Sequence, residues 1–393
     1  MRHLPSISRR ATLLGLSGAM LFGRTRLAVA EVPGDARLVV VILRGALDGL
    51  YAVQPYGDAA LRELRAPLVL PEPGQEGGLL DLGGHFGLHP AMPKFAAMYA
   101  ANQAMVLHAV AGATRSRSHF DAQDSLESGA DHRLSSGWLN RALEAMPEAG
   151  RARRGLALGT DVPLLIRGSV PVGAHALRGA RPPGSELLAT LARLNAADPV
   201  LGPAFNEGLR ARGFSAEVLG GLEPPPRGAN GFAALAEAGG RLLASADGPR
   251  VAAMELGGWD THLAQPNLLP PRLAELDNGL ETLRQGLGDA WPHTAVLVVT
   301  EFGRTVRVNG TNGTDHGTGT VALLAGGAVR GGRVLANWPG LTDLFENRDL
   351  APTRDLRAVA KALLAQHLKL PDEAVAKAFP GSEAIRPEGG LLR

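Results

Sequence analysis

Four groups of residues carry types that bind metal ions or move protons, and each adjoins an apolar run. Asp48 follows LVVVILRGAL, Ser116-Arg117-Ser118-His119 follows AMVLHAV, Asp260-Thr261-His262 follows VAAMEL, and Glu301 ends TAVLVVT, with Asp315-His316 just ahead of VALLAGG. A lone Asp after a strand is most often a helix cap or turn residue. Four such groups at the carboxyl ends of separate parallel strands would instead converge in space, because ligand groups of open α/β sheets gather at that edge. The chemistry such a convergence suits is metal-assisted transfer at a phosphoryl or sulfuryl group. Mixed carboxylate and imidazole donors fit zinc or manganese better than calcium. One or two ions would serve, two of them clamping the attacking and leaving oxygens. Ser118 or Ser116 is the candidate nucleophile, and Arg115, Arg117 or Arg304 the candidate partner of the equatorial oxygens. The bland alternative for these arginines is an ordinary structural ion pair.

The elements that must position these groups read as an α/β protein. Runs rich in β-branched and aliphatic residues, LVVVILR (Leu38 to Arg44), AMVLHAV, PLLIRG (Pro163 to Gly168), VAAMEL, TAVLVVT and VALLAGG, have the character of strands buried on both faces. Helical patterns lie between them, from Met92, from Phe232 and from Leu269, the last with prolines in its first turn. The alternation predicts a mostly parallel central sheet flanked by helices. The segment from about 180 to 230, with its proline run Pro224 to Pro226, reads as a helical and loop insertion in a single domain over 31–393.

Ser8-Arg9-Arg10, the apolar stretch Ala11 to Gly23 and the small-residue site Ala28-Val29-Ala30 have the pattern of a twin-arginine export signal cleaved near Ala30. The expected location is therefore the periplasm or beyond, with the twin-arginine translocase as a partner during export. An apolar stretch of 13 residues is short of the roughly 20 that span a bilayer, so no stable membrane span is expected in the mature chain. Residues 1–30 hold five arginines and no acidic residue, which leaves 35 basic against 38 acidic residues after cleavage. That balance, with aromatics at 4%, speaks against nucleic acid as a partner. Zero cysteines exclude disulfides, thiol nucleophiles and thiolate metal ligands. His85 and His89 have helical i, i+4 spacing, but the glycine between them and the proline after them favour a loop. Trp259 reads as core, and the Asn-Gly steps of NGTNGT (Asn309 to Thr314) as turns.

LVVVILRGALDGL, RSHFDAQDSLESG with GWLNR, GGWDTH, TEFGRT and GTDHGTGTVALLAGGAVRGG, in this order, resemble the bacterial family known as domain of unknown function 1501, itself distantly similar to the alkaline phosphatase and sulfatase superfamily. The resemblance implies an alkaline-phosphatase-like fold and an exported metal-dependent hydrolase of phosphate or sulfate esters, on small molecules, glycans or lipids. The alternative is a catalytically degenerate exported binding or assembly protein of the cell envelope. Carried over residue by residue, Asp48 matches the superfamily's first metal Asp. Ser118 matches the nucleophile, with Ser116 as its rival, and Asp260 and His262 match the next ligand pair. In one alignment Asp315-His316 is the Asp-His pair. In the preferred one Glu301 replaces its Asp and His316 is the later His, which leaves His119 and Asp315 to orient ligands. Phe302 then stands where the second ion's histidine is expected, and Phe302-Gly303-Arg304 becomes a possible anion subsite.

Overall fold

The computed structural model describes residues 35–146, 154–177, 185–198, 201–220 and 231–393, so the segment expected to be an export signal lies outside the described residues. Residues from Ala36 onward form one compact unit. Among the described residues its main sheet has nine strands: β1 (Arg37–Arg44), β5 (Ala104–Ala111), β6 (Gly155–Leu158), β7 (Gly173–His175), β8 (Val251–Gly257), β9 (Thr294–Thr300), β10 (Thr320–Ala325), β11 (Arg333–Leu335) and β12 (Arg354–Asp355). Three two-residue strands, β2 (Val53–Gln54), β3 (Leu80–Asp81) and β4 (Gly87–Leu88), make a separate small sheet.

The order across the large sheet is β11-β5-β10-β9-β1-β8-β6-β7, with β12 also on β5. Only β10 runs antiparallel to its neighbours β9 and β5. β1 lies between β8 and β9, in parallel register with Val41 opposite Met254 on one side and Val298 on the other. Its side chains alternate as the pleat requires. Val39, Val41 and Leu43 pack toward the helices Gly231–Ala244 and Gln265–Leu287. Leu38, Val40 and Ile42 pack toward Trp138–Glu144, Leu356–Ala362 and Asp372–Ala378. A strand covered on both faces explains the unbroken apolar run.

The mixed, mostly parallel sheet flanked by helices is the α/β class expected from the sequence. Two expectations change. PLLIRG is not a strand: Leu164–Ile166 forms a short 3₁₀ turn after Pro163, with all three side chains buried. The strands in that region are the short β6 and β7. The helix expected from Leu269 begins four residues earlier, at Gln265, which places Pro270 and Pro271 inside it. These prolines cannot donate to carbonyls of the first turn, and that turn is tied instead to the loop before β10, through Ala264 N–H to the Thr311 carbonyl (3.0 Å) and Gln265 N–H to the Asn312 carbonyl (2.9 Å). The segment expected as an insertion contains the helices Ser185–Asn195 and Leu201–Leu219. Among the described residues no helix is long and apolar enough to cross a membrane.

Candidate metal centre

Strands β9, β1 and β8 are adjacent and parallel, so the segments leaving their carboxyl ends meet on one edge of the sheet. Those segments carry Glu301, Gly45 to Asp48, and Asp260 to His262. Because β10 is antiparallel, its amino end reaches the same edge and brings Asp315-His316 with it. β5 delivers the Ser116–Ser118 loop, and the helix His119–Ser128 starts there with Ser118 as its cap.

Three imidazoles face one another on this edge. His316 Nε2 is 3.1 Å from His119 Nε2 and 2.9 Å from His262 Nε2. Asp260 Oδ1 lies 3.0 Å from His262 Nε2 and 3.3 Å from His316 Nε2, while Oδ2 is 3.5 Å from His119 Nε2. Asp260 and His262 point the same way although β8 has already ended, while Thr261 between them turns inward and is buried.

The other nitrogen of each ring is fixed by an oxygen that can only accept. His119 Nδ1–H donates to Glu301 Oε1 (2.8 Å), His316 Nδ1–H to the Arg117 carbonyl (2.8 Å), and His262 Nδ1–H to Asp315 Oδ1 (3.2 Å). In the neutral rings all three Nε2 lone pairs therefore aim at one another, an arrangement that repels unless a proton or a cation lies among them. The donor set fits a divalent cation. Bonds of roughly 2.0 to 2.1 Å in a tetrahedron imply donor separations of about 3.3 Å, close to those observed. An oxygen acceptor behind each imidazole is also the usual support of a metal-bound histidine. Among the described residues, His119, Asp260 and His316 form the group whose donor atoms all lie within 4.8 Å of one another, and His262 adjoins it through the contacts above.

Charge is arranged around this group. Burial alone would raise the Glu301 carboxyl, but hydrogen bonds from His119, Gln123 (2.9 Å) and the Gly45 N–H (2.8 Å) outweigh it and hold the group below its usual range. The bond to Glu301 in turn raises His119, whereas burial lowers His316. Asp260 is also lowered: burial opposes its ionisation, and the Arg304 guanidinium 2.5 Å away more than compensates. Asp315 is held down first by its bond from Asn309 and then by His262. Phe302 is buried beneath the rings, its centroid 5.0 Å from that of His119 and 5.1 Å from that of His316, and so fixes their tilt.

The structure thus brings together Asp260, His262 and His316 from the expected ligands and adds His119, which the sequence suggested only as an orienting residue. Glu301 stands one step back, fully enclosed, with His119 between it and the cluster. Asp48 is further removed. It caps the short helix Gly49–Ala52, accepts from Tyr51 N–H (3.2 Å) and Gln265 Nε2 (2.7 Å), and pairs with the buried Arg65. Asp315 stands behind His262, as an orienting residue would.

Arg304 is buried, and its guanidinium reaches the carbonyls of Gly45, Ala46 (2.8 Å), Trp259 (3.1 Å) and Thr314 (3.1 Å) besides Asp260. It joins the turn after β1 to the loops that carry Asp260 and His316, so its guanidinium is engaged within the protein. Arg117 pairs with Asp349 and Glu346, both at 2.6 Å, and Arg115 donates to the carbonyls of Gly112 (2.8 Å) and Thr114 (3.1 Å). The serines cap the site helix. Ser118 Oγ accepts from Asp121 N–H (3.5 Å), and Ser116 Oγ accepts from Ser118 N–H (3.2 Å) and donates to Asp121 Oδ2 (3.3 Å).

The NGTNGT stretch does more than turn the chain. Asn309 Nδ2 donates to the His262 carbonyl (2.8 Å) and to Asp315 Oδ1 (3.2 Å), and Thr311 Oγ1 donates to the same carbonyl (2.7 Å). Gly313 passes so close to His262 that an added Cβ would sit 2.2 Å from its carbonyl carbon and oxygen. Spacing could not have revealed this, but a glycine and two amide or hydroxyl residues just ahead of Asp-His were a usable signal. His85 and His89 lie away from the centre, flanking β4.

No curated protein matches the chain. Solved structures similar to it include the phosphonate monoester hydrolase of Agrobacterium radiobacter (13% identity over 85% of this chain and 74% of that one, TM-score 0.36). Another is the phosphonate monoester hydrolase from Silicibacter pomeroyi (12%, 86% and 74%, TM-score 0.38). A third is the C-terminal periplasmic domain of EcEptC from Escherichia coli in complex with zinc (10%, 74% and 73%, TM-score 0.32). The sequence profile described as "Protein of unknown function (DUF1501)" matches residues 84–379, which takes in every donor of the cluster, and the chain belongs to that family.

Proposed function

We propose that the protein is an exported metal-dependent hydrolase of phosphate or sulfate esters with an alkaline-phosphatase-like fold, its centre formed by His119, Asp260, His262 and His316. The observation that carries this reading is the set of three imidazoles whose Nδ1–H groups are each held by an oxygen, so that their Nε2 atoms converge beside a carboxylate. Zinc or manganese suits such donors, and the geometry favours one ion over two because Asp48 and Glu301 are engaged elsewhere. A bound divalent ion supplies Lewis-acid polarisation of an ester oxygen and a nucleophile at neutral pH.

The chain's own groups would do the remaining work. Glu301 keeps the His119 proton on Nδ1, Asp315 does the same for His262, and Arg304 keeps Asp260 ionised. Ser118, with Ser116 behind it, is the candidate nucleophile at the start of the site helix. The substrate would be a small-molecule, glycan or lipid ester reached after export by the twin-arginine translocase to the periplasm. A second reading, an exported binding or assembly protein without turnover, is favoured by one observation: Arg304 and Arg117 are both engaged within the protein.

The test is metal content of the purified protein by inductively coupled plasma mass spectrometry, with Asp260→Ala and His316→Ala beside it, followed by aryl phosphates and sulfates as substrates. About one equivalent of zinc or manganese, lost in both variants, with ester hydrolysis that follows the metal, is the expected result. Metal without turnover favours the binding reading, and absence of metal from the native protein after reconstitution overturns both the centre and its chemistry.

A further inference from the structure

We infer that Gln265 is a positioning residue of the metal centre, a buried side chain whose amide ties the two loops that carry Asp260, His262 and His316 to the Asp48 turn after β1; this rests on the metal reading above. Its amide lies where three segments meet and is fully enclosed. Oε1 accepts from Thr261 Oγ1 (2.9 Å) and Thr314 Oγ1 (2.8 Å), while Nε2 donates to Asp48 Oδ2 (2.7 Å). Thr261 separates the ligands Asp260 and His262. Thr314 precedes Asp315-His316. Asp48 hangs from the end of β1 and is itself anchored by Arg65, whose Nη1 donates to the carbonyls of Thr305 and Val306 (3.0 Å each).

Besides this amide, the two loops are joined near this point by Thr314 N–H to the Thr261 carbonyl (3.2 Å), by contacts of the half-buried Asn309 and the exposed Thr311 with the His262 carbonyl, and by Arg304 between the Thr314 carbonyl and Asp260. A main-chain bond sets the distance between the loops but not their height above the sheet. The amide does the second: both carbonyl lone pairs are occupied and the donor is aimed at a carboxylate fixed to β1, so neither threonine can shift without leaving a buried polar atom unpaired. His262 and His316 are each one or two residues from these hydroxyls, and their Nε2 atoms are 2.9 Å apart. Small displacements of either loop therefore change the donor spacing directly. The same arrangement gives Asp48 its part. It serves as the anchor of the ligand loops, which accounts for a strand-end carboxylate at the metal edge that contributes no donor.

The decisive experiment measures zinc affinity of the full chain by competition with a chromophoric chelator, together with thermal unfolding of the metal-free protein. The variants are Gln265→Leu, Thr261→Val, Thr314→Val and the rescue variants Thr261→Ser and Thr314→Ser. A positioning role predicts a 10- to 100-fold loss of zinc affinity in the Leu and Val variants, of the size typical for groups that orient ligands, and recovery to within about threefold of native in the Ser variants. If Gln265→Leu fails to fold, the valine variants, which keep shape and volume, carry the test. Folded variants that are destabilised but bind zinc as native does would assign the network to stability alone and overturn the inference. Absence of zinc binding by the native chain would instead overturn the metal reading, and this inference with it.

Discussion

Glu301→Gln tests whether the enclosed carboxylate behind His119 acts through its charge. Glu301 Oε1 receives three N–H donors, from Gly45 at 2.8 Å, His119 at 2.8 Å and Gln123 at 2.9 Å. Glutamine preserves the shape and one acceptor oxygen but removes the charge. Bonds to ionised groups contribute about 1.5–3 kcal/mol and neutral ones about 0.5–1.5 kcal/mol, so three bonds weakened by roughly 1 kcal/mol each predict a loss of about 3 kcal/mol, reduced to about 2 kcal/mol because His119 is partly exposed and screened. The loss should depend on pH. His119 is raised above its ordinary 6.5, so its share of the stability is complete below 6.5 and disappears as pH rises through the folded value. Glu301 is lowered below its ordinary 4.5, so its share is present above 4.5 and disappears as pH falls through the folded value. The substitution should therefore cost most between pH 4.5 and 6.5 and less at pH 8.5. Urea unfolding of the metal-free protein at pH 5.5 and 8.5, with the His119 ring followed by proton NMR, measures both effects. An equal loss at the two pH values, with the His119 titration unmoved, would refute the assignment of Glu301 as the charge that holds this ring.

Three further outcomes follow from the same geometry. Gly313→Ala would place a Cβ 2.2 Å from the His262 carbonyl group, a backbone neighbour that cannot rotate away. Zinc affinity should fall at least tenfold, and native affinity in a folded variant would contradict the close approach. Arg304→Lys keeps the charge but cannot reach four carbonyls and Asp260 at once. It should cost about 3 kcal/mol in thermal or urea unfolding, and a loss below about 0.5 kcal/mol would show that charge alone matters there. Burial pushes His89 and His108 down to about 4, so the unfolded chain binds protons that the folded chain refuses. Stability should then fall by about 2 kcal/mol for each between pH 7 and pH 5, and His108→Gln should remove part of that acid sensitivity.

The strands that matter for the centre were legible because they are long and buried on both faces. LVVVILR, VAAMEL, TAVLVVT and AMVLHAV admit few other readings. PLLIRG shows the limit of that argument: Leu164, Leu165 and Ile166 are as buried as a central strand, but they pack without strand partners, and hydrophobicity reports burial rather than pairing. β6 and β7, at four and three residues, are too short to leave a pattern. At the centre the residue types were legible and the order of the layers was not. Whether His119 or Glu301 faces the cluster depends on where a helix begins and how far a strand exit turns, a matter of a few ångströms that spacing does not encode. Asp48 illustrates the same point: its partner Arg65 is 17 residues away in sequence, on a helix whose approach no local motif announces.

Charge gives the last step of the argument. The donor cluster contains one carboxylate, Asp260, and that carboxylate is shared with Arg304 at 2.5 Å. Glu301 is satisfied by His119, Gln123 and Gly45, and Asp48 is neutralised by Arg65. With three neutral imidazoles, Asp260 and Arg304 cancel, but the ionised Glu301 and Asp315 stand directly behind His119 and His262, so the centre carries net negative charge before any ion binds. A divalent cation held there would be balanced through the rings, by the Glu301 and Asp315 carboxylates that His119 and His262 contact, and not by a second carboxylate among the donors. Arg304 keeps Asp260 ionised and offsets its charge, while its other bonds go to carbonyls of the surrounding loops. That division, three imidazoles turned toward one another with their carboxylates behind them, lets the centre accommodate a divalent charge with Asp260 as the carboxylate among its donors.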